Sequence, residues 1–375
     1  MEASLLTQQI DGTETQLRLN PRMSEDSRKT LSRMLLEASP PEGLIWITSS
    51  GSSGDPKLVG LSRRAIFASA EAVNRHLEAS NSDVWLLSLP IFHVGGMGVL
   101  ARAQLTQSRT VQLGPPWSAK AFYALAQNEN ATLSALVPTQ LYDLVQLGKP
   151  APPSIRAIII GGDALSPALY REARSLKYPI LPSYGLSECC SQVATASLQS
   201  LCNTEEMPHP TILDHVQCSL DENRALRIKS VSLLEGYVLA DEHHARFVDP
   251  KCHGWFTTTD RVRIIDQQLR VLGRLSNVVK VFGEQVDLGR LSGILGSTIP
   301  GRDAIVYAVP DERAGHKIVL VSSQELEMSV LETARDDFNN RVMPFERIVD
   351  IRLIERIPRT SLGKVAWSDL RKMLS

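Results

Sequence analysis

The ten residues Thr48-Ser49-Ser50-Gly51-Ser52-Ser53-Gly54-Asp55-Pro56-Lys57 constrain this chain more than any other stretch. They follow Leu44-Ile45-Trp46-Ile47, a short apolar run that reads as a buried strand. Five hydroxyl side chains, two glycines and a lysine then pass with almost no bulk between them. Glycines let backbone N–H groups turn into one concavity, and such a nest binds anions. The hydroxyls add donors and Lys57 adds a full charge, so the stretch reads as a phosphate-binding loop. A flexible Ser/Gly linker has a similar composition. A linker does not usually sit between a buried strand and an apolar-periodic run such as Ala65–Leu77.

The loop is not the Gly-x4-Gly-Lys-Ser/Thr loop of ordinary nucleotide hydrolases. The Gly-Lys pairs of the chain are Gly148-Lys149, followed by Pro150, and Gly363-Lys364, followed by Val365. Neither fits that pattern. The expected ligand is a small phosphate compound rather than a polymer, because 40 basic residues are balanced by 41 acidic ones. Nothing here asks for a nucleic acid or a membrane surface. No apolar run approaches the ~20 residues of a membrane span, and Met1–Ile10 lacks the charged-then-apolar pattern of a signal sequence. An odd count of five cysteines suits a reducing cytoplasm. Cys202, His209, His215 and Cys218 match no paired zinc-ligand spacing and are read as scattered loop residues.

The 375 residues suffice for two or three domains. Arg28–Ala38 has helical spacing, while Asp11–Pro21 is simply polar. After the loop, helices are expected over Ala65–Leu77, Ala119–Gln127, Leu141–Leu147 and Ser166–Leu176. Strands are expected over Asp83–Pro90, Leu133–Val137 and Ile155–Ile160. Strands alternating with helices argue for a layered α/β domain. Ligands in such sheets gather at the carboxyl ends of the strands. The loop after Ile47, His93 beside its glycines, Pro138, and Gly161-Gly162 all stand at strand ends by this reading, and can converge. Residues 197–223 read as polar and irregular. The last ~100 residues alternate strands (Ala304–Val309, Ile318–Ser322, Ile348–Leu353) with helices (Met328–Asn339, Trp367–Met373), as a small α+β domain would.

Four further motifs follow the loop in order. They are Ser183-Tyr184-Gly185-Leu186-Ser187-Glu188, Gly254-Trp255-Phe256-Thr257-Thr258-Thr259-Asp260, Gly273-Arg274-Leu275-Ser276-Asn277, and Pro358-Arg359-Thr360-Ser361-Leu362-Gly363-Lys364. With Gly236-Tyr237 between them, this ordered set resembles the adenylate-forming superfamily of acyl- and aryl-CoA ligases, luciferases and peptide-synthetase adenylation domains. Within it, Trp85–Gly98 and Leu136–Leu141 look most like the 2-succinylbenzoate–CoA ligases of menaquinone synthesis.

The resemblance implies a large α/β domain over residues 1–274, a mobile α+β domain over 275–375, and a hinge at Ser276. It implies ATP, Mg²⁺ and coenzyme A as ligands. Thr48, Ser49, Ser50, Gly51, Ser52, Ser53, Gly54 and Lys57 would hold phosphates. Gly161 and Gly162 would lie against adenine and the acyl group, Tyr184 beside Gly185 would stack on adenine, and Ser187 would donate to the α-phosphate. Glu188 would offer a hard oxygen to Mg²⁺ held chiefly by phosphates. Asp260 would accept from both ribose hydroxyls, each bond worth roughly 1.5–3 kcal/mol when shielded from water. Arg274 would reach the ribose or a phosphate. Lys364 would be the catalytic cation bridging carboxylate and α-phosphate.

His93, Gly96, Pro138, Thr139 and Ser191 would border the acid, and Arg102 would meet a second carboxylate. Lys280 and Gly283 would line the coenzyme A channel. Three departures stand out: a region ahead of the loop that is short for the family, Thr259 where the family has glycine, and Phe282 where it has a second glycine. The preferred reaction is ATP-dependent ligation of 2-succinylbenzoate to coenzyme A. Ligation of another aryl or acyl acid, and a non-catalytic binding relic, stay open.

Overall fold

The computed structural model describes residues 10, 12–48, 57–202, 206–240, 244–275, 278–299, 304–360 and 363–374. The loop positions Ser49, Ser50, Gly51, Ser52, Ser53 and Gly54, and the hinge position Ser276, lie outside the described residues. The chain divides into two compact units. One comprises residues 1–219, 227–256 and 264–269, and the other residues 220–226, 257–263 and 270–375.

In the first unit the chain runs through β1 (Gln16–Arg18), α1 (Glu25–Ala38), β2 (Ile45–Thr48), β3 (Lys57–Leu61), α2 (Arg63–His76), β4 (Val84–Leu87) and α3 (Val94–Thr106). It continues through β5 (Arg109–Gln112), α4 (Ala119–Asn128), β6 (Leu133–Leu136), α5 (Pro138–Val145), β7 (Ala157–Ile160), α6 (Pro167–Ser175), β8 (Ile180–Leu186) and β9 (Ser191–Thr195). Serine opens four of these helices: Ser24, Ser62, Ser118 and Ser166 each accept from the N–H three residues on. Each such cap satisfies a donor that the first helical turn would otherwise leave unpaired.

Strands β4 to β8 form a parallel sheet in the order β5-β4-β6-β7-β8, which turns antiparallel into β9. A parallel strand covered on both faces is apolar throughout, and all of Ala157–Ile160 is buried. Leu86, Phe122, Leu136, Ile158 and Tyr170 fill the space between this sheet and the helices. At the amino end of the sheet Arg156 grips Asp83 with a two-pronged contact, Nε–Oδ1 and Nη2–Oδ2 both 2.9 Å. Thr132 Oγ1 donates to the same carboxylate at 2.7 Å and the Ser80 N–H at 2.9 Å. Burial would push the Asp83 carboxyl up, but these four donors together hold it below the usual carboxylate range.

Two expectations are corrected here. The phosphate-loop stretch does not run from a strand to a helix. It joins β2 to β3, which pair antiparallel from Ile45↔Leu61 to Thr48↔Leu58. The short run Lys57-Leu-Val-Gly-Leu has little alternation and is masked in sequence by the helix behind it. Strands β2 and β3 also belong to a different sheet from the other strand ends, one ordered β1-β2-β3-β13-β14, where β13 is Gly236–Ala240 and β14 is Ala245–Val248. The stretch 197–223 is not wholly irregular. It holds β10 (Thr211–Ile212) and β11 (Val216–Leu220), whose polar residues hide the period of a strand.

The chain then forms β12 (Ala225–Ser230), β15 (Phe256–Ile265) and β16 (Gln268–Arg274). In the second unit β17 (Val278–Val281) and β18 (Glu284–Asp287) make a hairpin that turns at Phe282-Gly283. Helices α7 (Leu288–Leu295), α8 (Met328–Asn339) and α9 (Trp367–Leu374) pack on a sheet ordered β19-β20-β21, with β19 Ala304–Asp311, β20 Gly315–Ser323 and β21 Ile348–Ile354. Leu320 faces a core with Leu331 and Phe338, while Val319 and Val321 face one with Leu370. That alternation is the two-residue period of a strand buried on both sides.

Among the described residues no helix is long and apolar enough to cross a membrane, and no group of three or more His, Cys, Asp or Glu gathers as a metal-ligand set.

Candidate active site

Three of the expected positions leave the same edge of the parallel sheet. His93 precedes α3 after β4, Pro138 opens α5 after β6, and Gly161-Gly162 follow β7. The strands are neighbours and parallel, so their carboxyl ends lie side by side. Gln140 ties two of these turns together, accepting from the Val137 N–H at 3.1 Å and donating to the Ser88 carbonyl at 3.3 Å. His93 is half-buried with its ring 4.6 Å from Phe92; Gly96 and Pro138 are buried and Thr139 half-buried.

The end of β8 carries Tyr184 and Gly185, the turn after it Ser187 and Glu188, and Ser191 opens β9. The chain doubles back so sharply that a β-carbon at Gly185 would lie 1.8 Å from the Ser191 carbonyl oxygen. Cys190 and Ser191 have φ of 56° and 131°, conformations that a side chain rarely adopts. Strain of this kind collects where a site fixes its own geometry.

Glu188 is the meeting point of the first unit. Its Oε1 accepts from Tyr237 Oη at 2.9 Å and lies 3.3 Å from Lys57 Nζ. Lys57 Nζ also sits 4.0 Å above the Tyr237 ring. The Leu234 N–H donates to the Glu188 carbonyl at 2.8 Å and ties the approach to β13 onto the same turn. Burial, and next the Glu188 carboxylate, push the Tyr237 phenol up, so it stays a donor. Sequence reasoning gave Tyr237 no role; its signal was the Gly236-Tyr237 pair. Cys189 and Cys190 are fully buried, and burial first of all pushes both thiols up, which makes them poor nucleophiles.

Arg102 lies within α3 and is 2% exposed. Its Nε donates to the Gly98 carbonyl at 2.9 Å, and its guanidinium carbon lies 5.0 Å from the Trp85 ring. Its Nη1 is buried without a hydrogen-bond partner among the described residues. A β-carbon at Gly98 would lie 2.7 Å from Arg102 Nη2 and 3.7 Å from Ser191 Cβ, so glycine makes the room that the guanidinium fills. Arg102 and Ser191 thereby both border Gly98. Burial lowers the guanidinium to about 9. Holding a buried cation is expensive unless an anion meets it.

In the second unit Asp260 is 7% exposed and accepts from Arg274 Nε at 2.8 Å. The expected ribose carboxylate and the expected ribose- or phosphate-reaching arginine thus meet each other. The Lys364 carbonyl accepts from the Thr360 N–H at 2.7 Å, and Arg359 Nη1 donates to the Gly363 carbonyl at 3.0 Å. Lys280 and Gly283 lie in the β17–β18 hairpin, both exposed, with Phe282 60% exposed between them.

A model of the AMP-binding enzyme family matches residues 6–226. The chain belongs to that family. Among AMP-binding enzymes it is 27% identical, over 330 residues, to a 2-succinylbenzoate–CoA ligase of Staphylococcus aureus, a match that takes in 86% of this chain. The chain spans 65% of that relative's length. The fold is similar to that of Bacillus subtilis MenE in complex with the acyl-adenylate intermediate OSB-AMP, with TM-score 0.77, 21% identity, and coverage of 99% of this chain and 80% of that one. It is likewise similar to an E. coli MenE with bound OSB-AMS, with TM-score 0.71, 24% identity, and coverage of 90% and 70%. These likenesses agree with an α/β first unit and a small α+β second unit.

Proposed function

We propose that the chain is an AMP-forming acid–thiol ligase whose acid is 2-succinylbenzoate. The observation that carries this reading is Arg102. A guanidinium 2% exposed, with one nitrogen unpartnered among the described residues, packs against Gly98, which also borders Ser191, in an AMP-binding enzyme. A dicarboxylic acid keeps one carboxylate for reaction and offers the other to that cation. The S. aureus relative is a 2-succinylbenzoate–CoA ligase and the B. subtilis structure holds OSB-AMP, which supports the same acid for this chain.

Two steps follow. The reacting carboxylate attacks the α-phosphorus of ATP and pyrophosphate leaves. The coenzyme A thiol then attacks the acyl carbon and AMP leaves. The acid supplies its own nucleophile, so the chain's part is positioning and charge stabilisation. Lys57 and the loop hydroxyls hold phosphates, Ser187 donates to the α-phosphate, and Tyr184 stacks on adenine. Asp260 holds the ribose hydroxyls. Glu188, with Tyr237 and Lys57 on one oxygen, suits a Mg²⁺ that takes most of its ligands from nucleotide phosphates. His93, Gly96, Pro138 and Thr139 border the acid. Lys364 stabilises the charge of the first step, and residues 275–375 turn about Ser276 before the second. Lys280 and Gly283 flank the pantetheine path. The setting is cytoplasmic.

A screen for coenzyme A thioesters across aromatic mono- and dicarboxylic acids tests the reading. 2-Succinylbenzoate is expected to give the fastest thioester formation. Faster ligation of a monocarboxylic acid would replace the substrate assignment and leave the ligase class standing.

A further inference from the structure

The neighbours of Asp260 and Arg274 reach one carboxylate. Arg261 Nη1 lies 3.8 Å from Asp287 Oδ2. A β-carbon at Gly273 would lie 2.7 Å from Asp287 Oδ2 and 2.8 Å from its Oδ1, so the backbone at residue 273 rests on the carboxylate. The φ of Gly273 is 151°, which a side chain would strain. Successive residues of a strand point to opposite sides. Residues 260 and 274 meet on one side, while 261 and 273 turn to Asp287 on the other.

Asp287 is itself held firmly. It precedes α7, and its Oδ1 accepts from the Gly289 N–H at 2.9 Å and the Arg290 N–H at 3.2 Å. Its side chain is 14% exposed. A helix cap needs only a short side-chain acceptor. The contacts to Arg261 and Gly273 go beyond capping.

We propose that Asp287 is a positioning residue that braces the backbones behind Asp260 and Arg274 and so aims the Asp260 carboxylate before a nucleotide arrives. This rests on the reading of Asp260 as the ribose-binding group. A carboxylate selects a ribose hydroxyl only when its oxygen is held at hydrogen-bond distance, and loose backing removes that selectivity before it removes binding.

The test uses the full chain and two nucleotides, ATP and 2′-deoxy-ATP, titrated calorimetrically, with a thermal melt of each variant. The unaltered chain is expected to prefer ATP, and Asp260→Ala to abolish the preference. Asp287→Ser keeps a helix-capping oxygen but loses the charge and the reach to Arg261. It is expected to melt near the unaltered chain yet lose about tenfold of the preference, the selectivity of one charge-assisted hydrogen bond. Adding Asp287→Ser to Asp260→Ala should cause no further loss of preference, because Asp287 acts through Asp260. An unchanged preference in Asp287→Ser overturns the brace and leaves Asp287 a helix cap. An unchanged preference in Asp260→Ala overturns the ribose assignment itself, and the brace with it.

Discussion

The Lys57 ammonium lies 3.3 Å from Glu188 Oε1, joining residues 131 apart in sequence. Lys57 opens β3 in one sheet, and Glu188 follows β8 in the other. The pair therefore fixes the stem of the hydroxyl-rich loop against the edge of the parallel sheet. Tyr237 completes it, with its ring under the ammonium and its hydroxyl on the same oxygen.

Tyr237→Phe keeps the ring beneath Lys57 and removes one donor to a carboxylate. Hydrogen bonds to charged groups contribute about 1.5–3 kcal/mol when buried, and partial exposure reduces that. The expected outcome is a severalfold rise in the MgATP requirement with an unchanged acid requirement. Steady-state titration of both substrates checks this. An unchanged MgATP requirement would leave Tyr237 a packing residue.

Arg102→Ala should weaken 2-succinylbenzoate far more than a monocarboxylic analogue, because only the former offers an anion to the guanidinium. Equal losses for both acids would remove Arg102 from the acid site. Arg102→Met retains bulk without the buried charge. It should raise the melting temperature while losing the dicarboxylate preference, since removing an uncompensated buried charge stabilises a fold by an amount on the order of 1 kcal/mol.

The candidate site was named from residue types, for a physical reason. A nucleotide site calls for particular residue types, and Thr48–Lys57, Tyr184–Glu188, Asp260 and Lys364 offer those types in order. The alternation over residues 83–176 was legible because parallel strands are apolar runs between helices. Strand β3 and the antiparallel β2–β3 pairing were not. Five residues are too few for a period, and pairing is a long-range property. The link of Tyr237 to Glu188 was hidden likewise, because it depends on β13 lying beside β3. Arg102 could be named in sequence, but its burial comes from Gly98 and Trp85 in three dimensions.

Asp83 gives the fold a pH dependence. Its carboxyl lies below the usual range when folded, so its contribution is complete above the unfolded value of about 3.9 and is lost as pH falls through the lower folded value. Asp83→Asn should lower stability at neutral pH and flatten the acid limb of a plot of melting temperature against pH below about 4. An acid limb of unchanged slope would assign that loss to other carboxylates.

In the proposed mechanism the two half-reactions would place opposite demands on Lys364. The first needs a cation beside the carboxylate and α-phosphate, and the second needs that space open to a thiol. Losing one preorganised charge stabiliser typically costs ~10²–10³ in rate. Lys364→Ala should slow adenylation by at least that order, yet still convert a supplied acyl-adenylate and coenzyme A. Ser276→Pro fixes one backbone dihedral and should impair thioester formation instead, or only one of the two steps. Single-turnover measurement of each step checks both variants. Equal slowing of both steps by Lys364→Ala would rule out alternation of residues 275–375.

Pyrophosphate release tests the central claim most directly. The protein is mixed with MgATP alone, and then with MgATP and each of a panel of acids without coenzyme A. Negligible release is expected without acid, and a burst near one equivalent with 2-succinylbenzoate, accompanied by enzyme-bound acyl-adenylate. Release that no acid raises above the acid-free level, while ATP still binds, would contradict it and leave the chain a nucleotide-binding protein without ligase chemistry.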